Sequence, residues 1–237
     1  MDLIAQLARE LNLKAANVEA AVKLIDEGNT IPFIARYRKE LHGAMDDTAL
    51  RTLADRLQYL RNLDKRREEV KSAIEGQGKL TEELSAAIDA AATLAEVEDL
   101  YRPYKQKRRT RATVAREKGL EPLAELLFAQ AADGPAPEEA AGAFIDPEKG
   151  VETAEDALQG ASDIIAERIS DDADIRKRLR ELVWKKGYLV SAAAAKEPED
   201  TVYRLYYAFR SPLNRVQGHQ VLAVNRGERE GEGSPSA

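Results

Sequence analysis

The chain has 237 residues, enough for one large domain or two small ones and for a sizeable buried core. Its 36 Lys+Arg against 42 Asp+Glu leave a formal charge of −6 and a pI near 5.3, which taken whole disfavours a protein that coats a polyanion. The absence of cysteine excludes disulfides, thiolate metal sites and cysteine nucleophiles, and two histidines leave little for a zinc site or a histidine-based triad.

Aromatic residues are only 5 % of the chain and charged residues 33 %, the composition of an Ala/Leu/Glu/Arg-rich helical protein. No apolar run approaches the roughly 20 residues that span a bilayer, and Met1-Asp2-Leu3 opens no signal peptide. These features predict a cytoplasmic, helical, non-catalytic protein without a membrane partner.

Leu3, Ile4, Leu7 and Leu11 mark a first helical stripe, and Val18, Val22 and Ile25 a second that Gly28 closes. Pro32 is placed to open a third helix, carrying Phe33, Ile34, Tyr37 and Leu41 and ending near Gly43. Asp46, Asp47 and Thr48 supply cap chemistry for a long helix whose stripe runs through Leu50, Leu53, Leu57, Leu60, Leu63, Val70 and Ile74, about eight turns. Thr81 starts another helix. Thr93-Leu94-Ala95-Glu96 reads as a capping box for a helix that ends at Arg102-Pro103.

Beyond a basic loop, Thr110 caps a short helix that stops at Gly119, and Pro122 opens the next. Helices follow from Thr153 to the Asp171/Asp172/Asp174 cluster, and from there through Leu179, Leu182, Val183 and Trp184 to Gly187. Tyr188-Leu189-Val190 is a candidate strand, Val202 to Phe209 either an edge strand or an aromatic helix, and Gln217 to Asn225 a short helix. The expected fold class is therefore all-α and multihelical, with a long central helix and minor β structure near the C-terminus. Composition shifts divide it into a helical region 1–132, an acidic then basic helical region 133–187 opening on Asp133-Gly134-Pro135-Ala136-Pro137, an aromatic connecting segment 188–227, and a disordered tail 228–237.

The net charge hides segregation. Residues 101–118 hold eight cations against Glu117, a balance of +7; residues 131–174 hold thirteen carboxylates against Lys149 and Arg168, a balance of −11; residues 176–186 hold six cations against Glu181, a balance of +5. Exposed charges separated by more than about 8–10 Å are screened from one another at physiological salt, so each block acts locally.

The leading candidate site is Lys105, Lys107, Arg108, Arg109 and Arg111 with Tyr104, where cations interleaved with tyrosine suit phosphate contact and base stacking. The competing reading is an internal clamp, in which these cations pair with the acidic 131–174 segment. The second candidate is a helix-turn-helix-like pair over Val18 to Leu41, which would offer Arg36, Arg38 and Lys39 to a groove. The alternative there is an ordinary helical corner.

The acidic segment follows no Ca²⁺-loop spacing and reads as a solvated face, and His42 and His219 stand far apart without assignable partners. There is no phosphate loop, dinucleotide fingerprint or nucleophile elbow, so neither a metal, a cofactor nor a catalytic residue is expected.

Two long motifs add a resemblance. Ile31-Pro32-Phe33-Ile34-Ala35-Arg36-Tyr37-Arg38-Lys39-Glu40 is one, and Leu100-Tyr101-Arg102-Pro103-Tyr104-Lys105-Gln106-Lys107-Arg108-Arg109-Thr110-Arg111, followed by Ala115-Arg116-Glu117-Lys118-Gly119-Leu120-Glu121-Pro122-Leu123-Ala124, is the other. Together with Asp163-Ile164-Ile165-Ala166-Glu167 and Val221-Leu222-Ala223-Val224-Asn225-Arg226-Gly227-Glu228, they resemble the N-terminal region of the Tex family of bacterial transcription accessory proteins.

The resemblance implies an all-helical, nucleic-acid-associated scaffold with a helix-turn-helix-like element. It also implies, in full-length members, an inactive RNase-H-type domain, helix-hairpin-helix modules and a C-terminal OB-fold RNA-binding domain. This chain departs from that pattern by stopping at Glu232-Gly233-Ser234-Pro235-Ser236-Ala237, as a truncated piece would. The expected partner is RNA or DNA, bound weakly and without sequence preference. The alternative is a protein-interaction module that docks RNA polymerase, the ribosome or domains this chain lacks.

Overall fold

The structure is a computed structural model that describes residues 2–106, 108–132, 134–194 and 201–231, with the backbone of 233–236. It divides into two compact units, residues 1–104 and 105–237. The break expected at 132–133 lies inside the second. Among the described residues no helix is long and apolar enough to cross a membrane.

The first unit comprises α1 (Leu3–Glu10), α2 (Ala15–Asp26), α3 (Ile31–Tyr37), α4 (Asp47–Glu75), α5 (Glu82–Ala90) and α6 (Leu94–Tyr101), then a 3₁₀ turn at Arg102–Tyr104. The 29-residue α4 is its spine. Asp46 caps it by accepting from Ala49 N at 2.7 Å. Spacings of three and four align Leu50, Leu53, Leu57, Leu60, Leu63, Val70 and Ile74 on one buried face, which packs against α1, α2, α3, α5 and α6. Each buried leucine of that face contributes about 1.5–3 kcal/mol by leaving water.

One member of the stripe is not apolar. Arg67 fills the step between Leu63 and Val70, buried, pairing with Asp64 and donating from Nη2 to Ala91 O at 2.7 Å. Its guanidinium thereby satisfies the carbonyl that ends α5. The expected Thr93 box forms with one difference: Thr93 accepts from Glu96 N at 3.2 Å, but Glu96 reaches back to Ala92 N at 2.7 Å.

The third helix is shorter than its periodicity predicts, ending at Tyr37 rather than near Gly43. The cause is His42, wholly buried, whose Nε2 lies 3.1 Å from Ile34 O while Nδ1 accepts from Met45 N at 3.2 Å. This ring draws residues 38–44 into a turn. Gly43 sits there at φ +70°, and a Cβ on it would lie 2.0 Å from Asn17 Nδ2 of α2. As a result only Ile34 of the expected third stripe is buried; Phe33, Tyr37 and Leu41 are exposed.

The second unit begins with α7 (Arg111–Glu117), α8 (Glu121–Ala129), α9 (Pro137–Gly142) and α10 (Ala154–Asp171) around a small-residue core that includes Ala112, Ala115, Leu123, Ala157, Ala161 and Ile164. The helix α11 (Ala173–Lys186), capped by Asp172 on Ile175 N at 2.8 Å, then runs into β1 (Tyr188–Ala193). The segment 202–209 is neither a strand nor an α-helix along its length: it forms turns and a 3₁₀ turn at Arg204–Tyr206, and only its last two residues enter β2 (Ala208–Pro212).

The unit closes with α12 (Gly218–Arg229) and β3 (Gly233–Ser236). The sheet is antiparallel in the order β2-β1-β3, with Val190 opposite Arg210 on one side and Ser236 on the other. Where composition alone suggests a tail over 228–237, the chain carries the last turn of α12 and an edge strand whose backbone pairs with β1.

Candidate nucleic-acid interface

The basic loop leads into α7, and Thr110 starts that helix by accepting from Thr113 N at 3.1 Å. The same hydroxyl group donates to Glu167 Oε1 of α10 at 3.0 Å. Glu167 also receives Arg116, whose Nη1 lies 2.7 Å from Oε2, and Arg116 Nε lies 3.3 Å from Glu121. The bond to Glu167, reinforced by Glu121, raises the Arg116 guanidinium above its ordinary pKa. Lys118 Nζ donates to Gly150 O at 2.6 Å, and Arg168 pairs with Glu125 at 2.9 Å with its guanidinium 4.2 Å from the Phe128 ring. A clamp between basic and acidic segments therefore exists, made by Arg116 on Glu167 and Lys118 on Gly150.

The loop cations are placed differently. Lys105 and Arg108 are exposed; Arg108 has no ion-pair partner among the described residues. Arg109 is 70 % exposed and pairs with Glu117 at 2.8 Å on the surface. Arg111 is 87 % exposed, its Nε 3.8 Å from Asp163. Such exposed contacts contribute about 0–1 kcal/mol each and leave the guanidinium groups open to other anions. Lys107 lies outside the described residues. Tyr104 is half-buried, packed on the first unit's core, with its carbonyl accepting from Gln77 Nε2 at 3.0 Å.

Arg109, Thr110, Arg111 and Lys118 form one wall of an open groove of about 540 Å³, faced by Asp156, Gln159 and Asp163 of α10. Its floor exists because Gly160 lets α7 and α10 cross closely: a Cβ there would lie 2.3 Å from Leu120 Cδ1 and 3.3 Å from Ala115 Cβ. The groove is mixed in sign, so its cationic rim rather than its interior suits a polyanion. Among the described residues no group of three or more His, Asp or Glu could hold a metal ion.

In the first unit, Arg36, Arg38 and Lys39 are all exposed, but only Arg36 lies within α3; Arg38 caps it and Lys39 follows. Phe33 and Tyr37 stack obliquely at 5.3 Å, with Arg38 Cζ 5.5 Å from the Phe33 ring and Arg36 Cζ 6.0 Å from the Tyr37 ring. A two-turn α3 presents this patch where a longer recognition helix was expected.

Sequence reasoning passed over Gly160, Arg67 and the role of Arg116, whose partners lie far along the chain. It also ran an apolar stripe through Leu179, Leu182, Val183 and Trp184 of α11, whereas all four side chains are exposed.

Fold and site together define a charge-segregated helical protein with an exposed cationic loop. The Tex-like protein N-terminal domain matches residues 1–75 and the Tex central region matches residues 133–232. Protein tex of Bordetella pertussis is 47 % identical over 230 residues, covering 97 % of this chain and 29 % of the relative. Transcriptional accessory protein Tex of Neisseria gonorrhoeae is 42 % identical, covering 98 % and 30 %. S1 RNA-binding domain-containing protein 1 of Homo sapiens is 31 % identical, covering 96 % and 23 %. The chain belongs to the Tex family, and spans less than a third of the length of these relatives.

Proposed function

We propose that this chain is a non-catalytic helical scaffold that lends cationic contacts to the phosphate backbone of RNA or DNA in the cytoplasm. The observation that carries this reading is the division of labour in the basic segment. Arg116 is held half-buried by acidic residues of α10 and α8, while Arg108 is exposed and Arg109 and Arg111 make only exposed pairs with Glu117 and Asp163. Lys105 adds charge to the same loop, and Arg36, Arg38 and Lys39 form a second cationic patch. Such contacts position a backbone without reading bases. Relatives named for transcription accessory work and for an S1 RNA-binding domain support the substrate class. The lack of cysteine and the use of both His42 nitrogens on backbone groups support a non-catalytic role.

The test is a titration of labelled single-stranded RNA and duplex DNA at two salt concentrations. About three or four neutralised phosphates give a log–log salt slope of roughly −2 to −4. Binding that ignores salt, or no binding at low salt, would contradict the reading and favour docking to a protein such as polymerase or a ribosomal component. Turnover of either nucleic acid by the purified chain would contradict its non-catalytic part.

A further inference from the structure

α11 is a 14-residue helix in which no side chain is buried. Trp184, the chain's one tryptophan, is 60 % exposed on it. A tryptophan left in water forfeits the largest burial gain any side chain offers, so its surroundings indicate what it meets.

Those surroundings are cationic. Helical periodicity places Arg180 and Lys177, four and seven residues earlier, on the same side as Trp184, and Lys185 and Lys186 follow it. Glu181 also lies toward this side, and Lys185 Nζ draws its carboxylate at 3.8 Å. Just beyond the helix, Tyr188 at the start of β1 is exposed and carries the Arg210 guanidinium 4.1 Å from its ring. The exposed indole of Trp184 thus stands four residues before a tyrosine that already carries a cation on its ring, beside the +5 block of residues 176–186.

We propose that the Trp184 side of α11 is a base-stacking site for single-stranded nucleic acid, resting on the polyanion-binding reading above. Cations hold the backbone and the indole accepts an unstacked base, a combination that tolerates any sequence because every base has a π-face. Duplex is excluded from stacking on Trp184, since its bases are already stacked and shielded, though its phosphates can still meet the cations.

Because Trp184 is the single tryptophan, its emission reports this site alone. The full chain is titrated with end-labelled oligouridylate, with an abasic oligomer of equal length and charge, and with duplex, reading label anisotropy and Trp184 emission together. Oligouridylate is expected to quench Trp184, the abasic oligomer and the duplex to bind without quenching. Trp184→Ala is expected to weaken oligouridylate about five- to tenfold while leaving the abasic oligomer unchanged, and Trp184→Phe to retain most of the affinity. Binding without quenching, with Trp184→Ala at wild-type affinity, would overturn the stacking site while the polyanion reading stands. Equal quenching by duplex would overturn the single-strand assignment. No binding of any oligomer would overturn both.

Discussion

Arg116 Nη1 lies 2.7 Å from Glu167 Oε2, across 51 positions of sequence, and the same carboxylate accepts from Thr110. Glu167 therefore ties the entry and the interior of α7 to α10. Its side chain is 15 % exposed and that of Arg116 35 %, so solvent screening reduces but does not abolish their coupling. Glu167→Ala is expected to destabilise by about 1–3 kcal/mol, leaving Arg116 with only the weaker Glu121 contact and removing the bond between Thr110 and α10. A double-mutant cycle with Arg116→Ala, read from urea unfolding midpoints, should return a coupling of about 0.5–2 kcal/mol.

The close approach of α10 to α7 and to the turn after it depends on Gly160, where a Cβ would lie 3.3 Å from Ala115 Cβ and 2.3 Å from Leu120 Cδ1. Adding a side chain to this floor is overpacking, which costs roughly 1–3 kcal/mol. Gly160→Ala should therefore lower the unfolding midpoint even though alanine favours helix; a rise would show that α7 and α10 do not cross this closely.

His42 serves as a two-sided backbone clip. With its proton on Nε2, the ring donates to Ile34 O and accepts from Met45 N, both within a sealed environment. His42→Ala leaves Met45 N without its acceptor, removes one of the two donors on Ile34 O (Arg38 N remains) and opens a cavity, for a loss of about 2–4 kcal/mol. Amide exchange at Met45 should accelerate at the same time.

Glu10 supplies the clearest pH dependence. Arg56 donates to both its oxygens, at 2.5 and 2.9 Å, and with help from Gln6 holds the carboxyl at about 2 rather than 4.5. A depressed folded-state pKa means that the stabilisation is complete above about pH 5 and disappears as the pH falls toward 2. Since both side chains are about one-third exposed, its size is about 1 kcal/mol. Unfolding midpoints of wild type and Glu10→Gln should differ at pH 6 and converge by pH 2; a constant difference would contradict this assignment.

Six helix starts were legible because the signals are local: Asp46, Thr81, Thr93, Thr110, Thr153 and Asp172 each cap a helix by bonding a backbone amide within the next three residues. The leucine stripe of α4 announced the first core in the same way. What periodicity could not supply depends on contacts distant in sequence. The end of α3 is set by a histidine eight residues beyond Ile34, and the burial of Arg67 by a carbonyl 24 residues away. The partition of one basic segment into clamp and open loop depends on where α10 places Glu167 and Asp163. Charge counting locates the block but not which cations are already engaged.

That partition is tested most directly by the affinity of an Arg108→Glu/Arg109→Glu chain for a labelled single-stranded oligonucleotide at low salt, with its melting temperature measured alongside. Neither residue is buried, and the Arg109–Glu117 pair is a surface contact, so the fold should be unaffected. The account predicts an affinity at least about tenfold weaker with an unchanged melting temperature. Wild-type affinity in the reversed chain would contradict it.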